Sequence, residues 1–286
     1  PSTLSDLGID VVLENDQVGS NLQDHFGAFT QVHLDYKPRE FAYTNSLTRA
    51  LEYRRYKRTR DGLYASSGTN AIVFFKEPDA THHNSQGLLA EGFNSVDRLR
   101  NRILMQYSNY CMDIESRGEV HYSGNPRFPL GNPLLGIPST VDPNYGGTDQ
   151  EISCLAKAQK RMRELFLKTG KALGEDVPGQ GFVPYNDEAF EFDVEELRSL
   201  LPQYTSYSGY HFSGSLALDK VVDSDTMEVF GFERREDGTT VKKSVKGLFI
   251  VDTSIFSQIP RVNTMALAYG ASEYASSLIL DTDIFA

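Results

Sequence analysis

Histidine takes up a proton near neutrality, its unperturbed pKa lying near ~6.5. His211 sits where such chemistry could be done, in the small polar loop Tyr210-His211-Phe212-Ser213-Gly214. Taken alone, it reads as a structural histidine satisfied by its own loop. Asp252 is a second candidate, because it ends the apolar run Leu248-Phe249-Ile250-Val251. A carboxylate at the end of a buried strand is costly unless hydrogen-bonded, and capping the turn that follows is its competing use. His82 and His83 are adjacent, so their side chains diverge on a helix or a strand, and they read as a surface loop. Cys111 and Cys154 are the only 2 cysteines. With no CxxC and no histidine at ligand spacing, neither a metal site nor a disulfide framework is indicated.

The chain has 286 residues, 40% hydrophobic and 23% charged, enough for a sizeable core in one large domain or two modest ones. No apolar run approaches the roughly 20 residues that span a bilayer. A net charge of −11 argues against nucleic acid as a partner. One stretch runs the other way: Arg49, Arg54, Arg55, Lys57, Arg58 and Arg60 alternate with Tyr53 and Tyr56. A short charge run is usually a solvated helix face, and it is read so here.

The elements that must position the candidates follow from periodicity and punctuation. Residues 2–7 predict a short helix stopped by Gly8, and Ile9 to Leu13 a buried strand. Strands are expected at 28–34, 71–75, 103–107 and 119–122, rich in β-branched and aromatic residues. Helices are expected at 46–58, 149–171 and 194–201. Well-separated strands with long helices between them predict an α+β region on a largely antiparallel sheet. Further on, 227–232 and 240–243 flank the hairpin turn Asp237-Gly238. Residues 248–251 read as a buried strand, and 263–280 as a helix with Leu267, Gly270, Ala271, Tyr274 and Leu278 on one face.

Several of these pieces, in this order, resemble the glucose-methanol-choline (GMC) oxidoreductases. Val18-Gly19-Ser20-Asn21-Leu22-Gln23-Asp24-His25 is similar to that family's V-G-x-N-L-Q-D-H. Ser116-Arg117-Gly118-x-Val120 and Asp142-Pro143-Asn144-Tyr145 are similar to its S-R-G-x-V and D-P-N-Y. The block Tyr210 to Gly214, then Val221-Val222-Asp223, then Gly247 to Ser254, resembles its H-x-x-G-T-C, V-V-D and G-L-R-V-x-D-x-S series. Two features depart from the pattern: Ser215-Leu216-Ala217-Leu218-Asp219 stands where T-C-R-M-G is usual, and the hairpin at 233–245 is longer.

The resemblance implies an α/β plus α+β architecture. Residues 1–25 and 206–286 would belong to an FAD-binding domain, and 26–205 to a substrate domain on a mostly antiparallel sheet flanked by helices. It implies FAD as cofactor and oxidation of an alcohol, with His211 as base and Asn263 positioning the hydroxyl. It places Asn21, Asp252, Thr253, Asn263 and Thr264 against the cofactor, Asn21 and His25 having loop-tying as their alternative. The G-x-G-x-x-G turn that receives the FAD pyrophosphate in this family does not occur in these residues. The chain is therefore expected to start inside a longer gene product, with a second chain carrying that half, and its compartment is left open. A flavin-bearing hydroxynitrile lyase, in which the flavin does no redox work, is the competing enzyme, and a non-catalytic subunit the competing class.

Overall fold

The computed structural model describes residues 10–34, 46–65, 72–76, 87–97, 102–122, 139–168, 172–173, 193–196, 198–199 and 207–281. Contacts divide the chain into two units, one of 1–25, 114–147 and 209–286 and the other of 26–113 and 148–208. The first unit thus joins both chain ends and also takes in 114–147, a segment inside the expected 26–205 block. The expected pair His82-His83 and the helix at 2–7 lie outside the described residues.

In the second unit, β1 (Phe26–Leu34) is followed by α1 (Ser46–Thr59), β2 (Ile72–Lys76), β3 (Gly87–Asp97) and β4 (Arg102–Cys111). Within the first unit come β5 (Glu119–Tyr122) and β6 (Ser139–Asp142), an antiparallel pair. The second unit resumes with α2 (Asp149–Lys168), β7 (Ala172–Leu173) and β8 (Tyr207–Ser208). Its sheet runs β2-β3-β4-β1-β7 with β8 also on β1, antiparallel at every described pairing. β3 escapes a reading by composition, since two glycines, Asn94 and Asp97 all disfavour strand. Its ladder to β4, from Leu88↔Cys111 to Asp97↔Arg102, fixes it instead.

Helix α2 opens where Thr148 Oγ1 accepts the Glu151 N–H, with Asp149 and Glu151 in its first turn to favour the helix dipole. It buries Ile152, Leu155 and Ala158, the larger two worth about 1.5–3 kcal/mol each. Here one expectation is corrected: Cys111 and Cys154 form a disulfide. Sequence spacing could not reveal that the end of β4 meets the first turns of α2. Closing a separation of 43 residues should stabilise the unit by about 4 kcal/mol in the chain-entropy account. The basic helix α1 buries none of its residues. Its cations are partly engaged locally, Arg55 with Asp61 and Glu52, Lys57 over Tyr53, and Arg60 over Tyr56.

In the first unit, β9 (Glu228–Arg234) and β10 (Thr240–Phe249) form the hairpin at Asp237-Gly238, with a register shift between Ser244 and Phe249. Helix α3 (Met265–Asp281) closes the described chain. Their core gathers Val221, Val222, Met227, Ile255 and Ala275. The stripe that α3 turns inward is Ala268, Ala271, Ala275 and Leu278, while Leu267, Gly270 and Tyr274 of the expected face are exposed. Two strands are also corrected. Residues 10–13 enter no ladder, Val12 being 86% exposed, and the pairing begins with the single bridge Glu14↔Phe232. Leu248, at 46% exposure, belongs to the end of β10 and not to a separate buried strand.

Candidate active site

The first unit brings the candidate residues together by threading residues 21–25 between two partners. Leu22 exchanges both main-chain hydrogen bonds with Gly118, and Gln23 exchanges both with Ser213. Asn21 enters this segment with a positive φ of 62° and donates through Nδ2 to Gly214 O and Ser257 O. Gly214 answers with φ 89°, and a Cβ there would stand 2.4 Å from Asn21 O. Only glycine fits both demands.

Gln23 is fully buried and acts as a three-way tie. Its amide donates to Asn21 O and Ser257 O, and its Oε1 accepts the Ile259 N–H. The loop held in this way, 257–259, leads through Pro260 to Asn263. Arg117 holds the same loop from another side, Nη2 donating to Gln258 Oε1 at 2.7 Å.

Asp24 is 1% exposed. Its Oδ1 accepts the His211 main-chain N–H at 2.8 Å, and its Oδ2 accepts the Tyr145 hydroxyl in a short hydrogen bond. A buried carboxylate needs such donors, and here they come from positions 121 and 187 residues away. Tyr210 precedes His211 with φ 58°, a conformation costly for a bulky residue. That backbone turn leaves Tyr210 84% exposed while His211 is buried.

The His211 ring is held at both nitrogens. Nδ1 lies 2.9 Å from Nδ1 of the fully buried His25, the rings edge to face, and Nε2 lies 3.3 Å from Nδ2 of Asn263. Thr264, 8% exposed, immediately precedes α3, its carbonyl accepting the Ala268 N–H. Asp252 is exposed and caps the short turn Thr253–Ile255 through the Ser254 N–H at 2.7 Å. Thr253 Oγ1 donates to Phe212 O, and its carbonyl accepts the Gly214 N–H, so this turn underpins the histidine loop.

Of the residues singled out in the sequence, His211 and Asn263 therefore stand side by side. Asn21, Asp252 and Thr253 brace the loops that carry them. Three residues the sequence reading passed over, Gln23, Asp24 and Tyr145, do most of the holding. Their signal lay inside the motifs at 18–25 and 142–145, as polar residues among the motif positions. Among the described residues no group of three or more His, Cys, Asp or Glu could hold a metal, and no helix is long and apolar enough to cross a membrane.

No family model matches the chain. A protein named as a GMC-type oxidoreductase from Acanthamoeba polyphaga mimivirus is 37% identical over 73 residues, 26% of this chain and 11% of that protein. A second protein of the same virus, named as a truncated and inactive GMC-type oxidoreductase, is 39% identical over 72 residues, 25% of this chain and 73% of its own length. Patulin synthase of Aspergillus clavatus is 23% identical over 95% of this chain and 44% of its own.

Among solved structures, formate oxidase of Aspergillus oryzae RIB40, studied for its FAD modification, superposes with a TM-score of 0.74 at 16% identity. That match covers 99% of this chain and 51% of the oxidase. A fungal aryl-alcohol oxidase gives a TM-score of 0.65 at 20% identity, over 98% and 50% of the two chains. The chain thus spans about half the length of these solved proteins, and they share its fold.

Proposed function

The chain belongs to the GMC-type oxidoreductases, and from that premise we propose that it supplies the catalytic residues of an FAD-dependent enzyme oxidising an alcohol CH–OH to a carbonyl. The observation that carries this reading is the pair His211 Nε2 and Asn263 Nδ2, 3.3 Å apart and 52 residues apart in sequence. A ring nitrogen beside a carboxamide is the donor set an alcohol needs, one group to take the hydroxyl proton and one to hold the oxygen.

The residues present also fit the cofactor. Immediately after Asn263, the amides of Met265, Ala266 and Leu267 precede the first i→i+4 bond of α3, from Ala268 N–H to Thr264 O, and all three residues are exposed. Such amides suit an electron-rich or anionic acceptor. Asn21, Asp252, Thr253, Asn263 and Thr264 would hold FAD from this side, the first, second and third through their main chain, since their side chains already brace loops. Bound FAD supplies the two-electron acceptor for the hydride leaving the alcohol carbon. His211 takes the hydroxyl proton at Nε2, and Asn263 keeps the oxygen in place, so the substrate leaves as a carbonyl compound. Asp24 holds the His211 backbone still throughout.

In the same reading, a second chain carries the G-x-G-x-x-G half. The outer face of α3, with Met265, Tyr269, Tyr274 and Leu280 exposed, supports it, because apolar patches of this kind mark contact surfaces. Native mass spectrometry of the purified material should find that partner; a flavin-free monomer of this chain would count against it. The activity test is anaerobic mixing of the flavoprotein with a panel of alcohols, watched in the visible spectrum. Bleaching by at least one alcohol is expected. Bound flavin that no alcohol bleaches, with cyanide released from cyanohydrins, would favour the lyase. The name of the truncated mimivirus relative favours a non-catalytic subunit, and a protein without flavin or turnover would point there.

A further inference from the structure

The histidine that makes no part of the proposed chemistry, His25, sits in the most enclosed position of the site. It is 0% exposed, and its Nδ1 meets Nδ1 of His211 at 2.9 Å. Two imidazoles can share a hydrogen bond at these atoms only if one nitrogen carries the proton and the other a lone pair. The far side of His211 decides which. Asn263 turns its amide nitrogen toward Nε2, and an amide nitrogen only donates, so Nε2 must be the acceptor. A neutral ring with a lone pair on Nε2 carries its proton on Nδ1. His211 therefore donates, and His25 Nδ1 accepts.

The approach of the two rings is built into the backbone. Gly209 N–H donates to His25 O at 2.5 Å, and a Cβ on Gly209 would lie 2.6 Å from that oxygen and 3.1 Å from His211 Nδ1. No other residue type fits between the two histidine segments without moving them. Gln23, paired with Ser213, and Asp24, paired with His211 N–H, clamp the chain on the other side.

We propose that His25 is the positioning residue that holds His211 in its Nδ1–H tautomer, so that Nε2 faces Asn263 as a lone pair. Its value for catalysis rests on the base role given to His211 above: a ring in the other tautomer would present a proton where a proton must be received. The tautomer itself stands on geometry alone and is read without any turnover.

The test is nitrogen NMR of the flavoprotein selectively labelled with ¹⁵N-histidine, with His211 assigned by difference. The expected spectrum has a pyrrole-type Nδ1 and a pyridine-type Nε2 on His211, and a scalar coupling across the hydrogen bond to His25 Nδ1. His25→Asn, whose side-chain oxygen can stand near the lost nitrogen, should keep that tautomer. His25→Leu, which offers no acceptor, should move the proton to Nε2 and lower turnover by about 10² or more, within the range general-base catalysis contributes. His211 protonated at Nε2 in the unaltered protein, or His25→Leu retaining the Nδ1–H form, would overturn the proposal. If His25→Leu does not fold, the coupling in the unaltered protein decides, its absence being the adverse result. A tautomer that moves in His25→Leu without loss of turnover would uphold the positioning role and instead sink the base role of His211.

Discussion

The β9–β10 hairpin and the histidine loop belong to the same unit yet are held by opposite means. The hairpin turns on Asp237-Gly238, where Gly238 has φ 83° and a Cβ there would meet nothing within 4 Å, and Asp237 caps its own turn through Thr239. Its cross-links are ion pairs made by exposed lysines, Lys243 with the exposed Glu233, of the kind worth about 0–1 kcal/mol, and Lys246 with the buried Glu228. The loop at 209–214 has no such local logic. Its anchors are polar and distant, the buried Asp24 and His25 and the half-buried Asn21 reaching it from 186–193 residues away. Where solvent competes, structure must come from the local chain; where it is excluded, each unmade hydrogen bond is expensive, and distant partners become obligatory.

That contrast ranks the effects of substitution. The largest belongs to His211: His211→Ala should lower turnover by about 10²–10⁴ while flavin content stays near that of the parent. A rate within a few-fold of the parent would remove the catalytic reading. Next comes Asp24→Ala, which strips the acceptor from a buried main-chain N–H and from the Tyr145 hydroxyl. A loss of about 2–4 kcal/mol is expected by denaturant titration. Tyr145→Phe removes one of these donors and should cost about 1–2 kcal/mol. If both losses matched those of hairpin substitutions, burial would not be what separates the two regions.

The hairpin was also the legible part of the sequence. An Asp-Gly pair between β-prone runs names its own turn, and β9, α2, α3 and the start of β10 were found within a few residues, while the length of β10 was not. The expected face of α3 was wrong in three residues, because Leu267, Gly270 and Tyr274 lie away from the small-residue stripe that packs. The site was half legible. Motif order found His211 and Asn263, but Asp24, Gln23 and Tyr145 show their roles only once the chain is folded, since partners that define those roles lie 121–236 residues away. The disulfide was hidden for the same reason, its two cysteines being brought together by a strand end and a helix start. Residues 10–13 failed differently: an apolar run suggests a strand, yet among the described residues it finds no ladder to join.

The smallest effect tests where the hairpin meets the loop that precedes it. Asp223 Oδ2 accepts from Lys242 Nζ at 2.7 Å, and its Oδ1 accepts the N–H groups of Asp225 and Thr226. The Lys242 hydrogen bond, foremost, and these main-chain bonds hold the carboxyl below the usual aspartate value, against a partial opposing push from burial. A carboxyl depressed in the folded state adds stability that is fully present above its unfolded pKa, about 3.9, and is lost as pH falls through the lower folded value. Asp223→Asn keeps an oxygen for the turn but loses the charge facing Lys242. It should therefore be less stable than the parent by no more than about 1 kcal/mol at pH 7, the carboxylate being only partly shielded from water. The gap in urea midpoints should narrow as pH is lowered below about 4, and should shrink at about 1 M salt, where charges near the surface are screened. A gap indifferent to both would mean that neutral turn bonds, and not the Lys242 pair, tie the hairpin to this loop, and the division between a charge-linked surface and a hydrogen-bonded interior would then need redrawing.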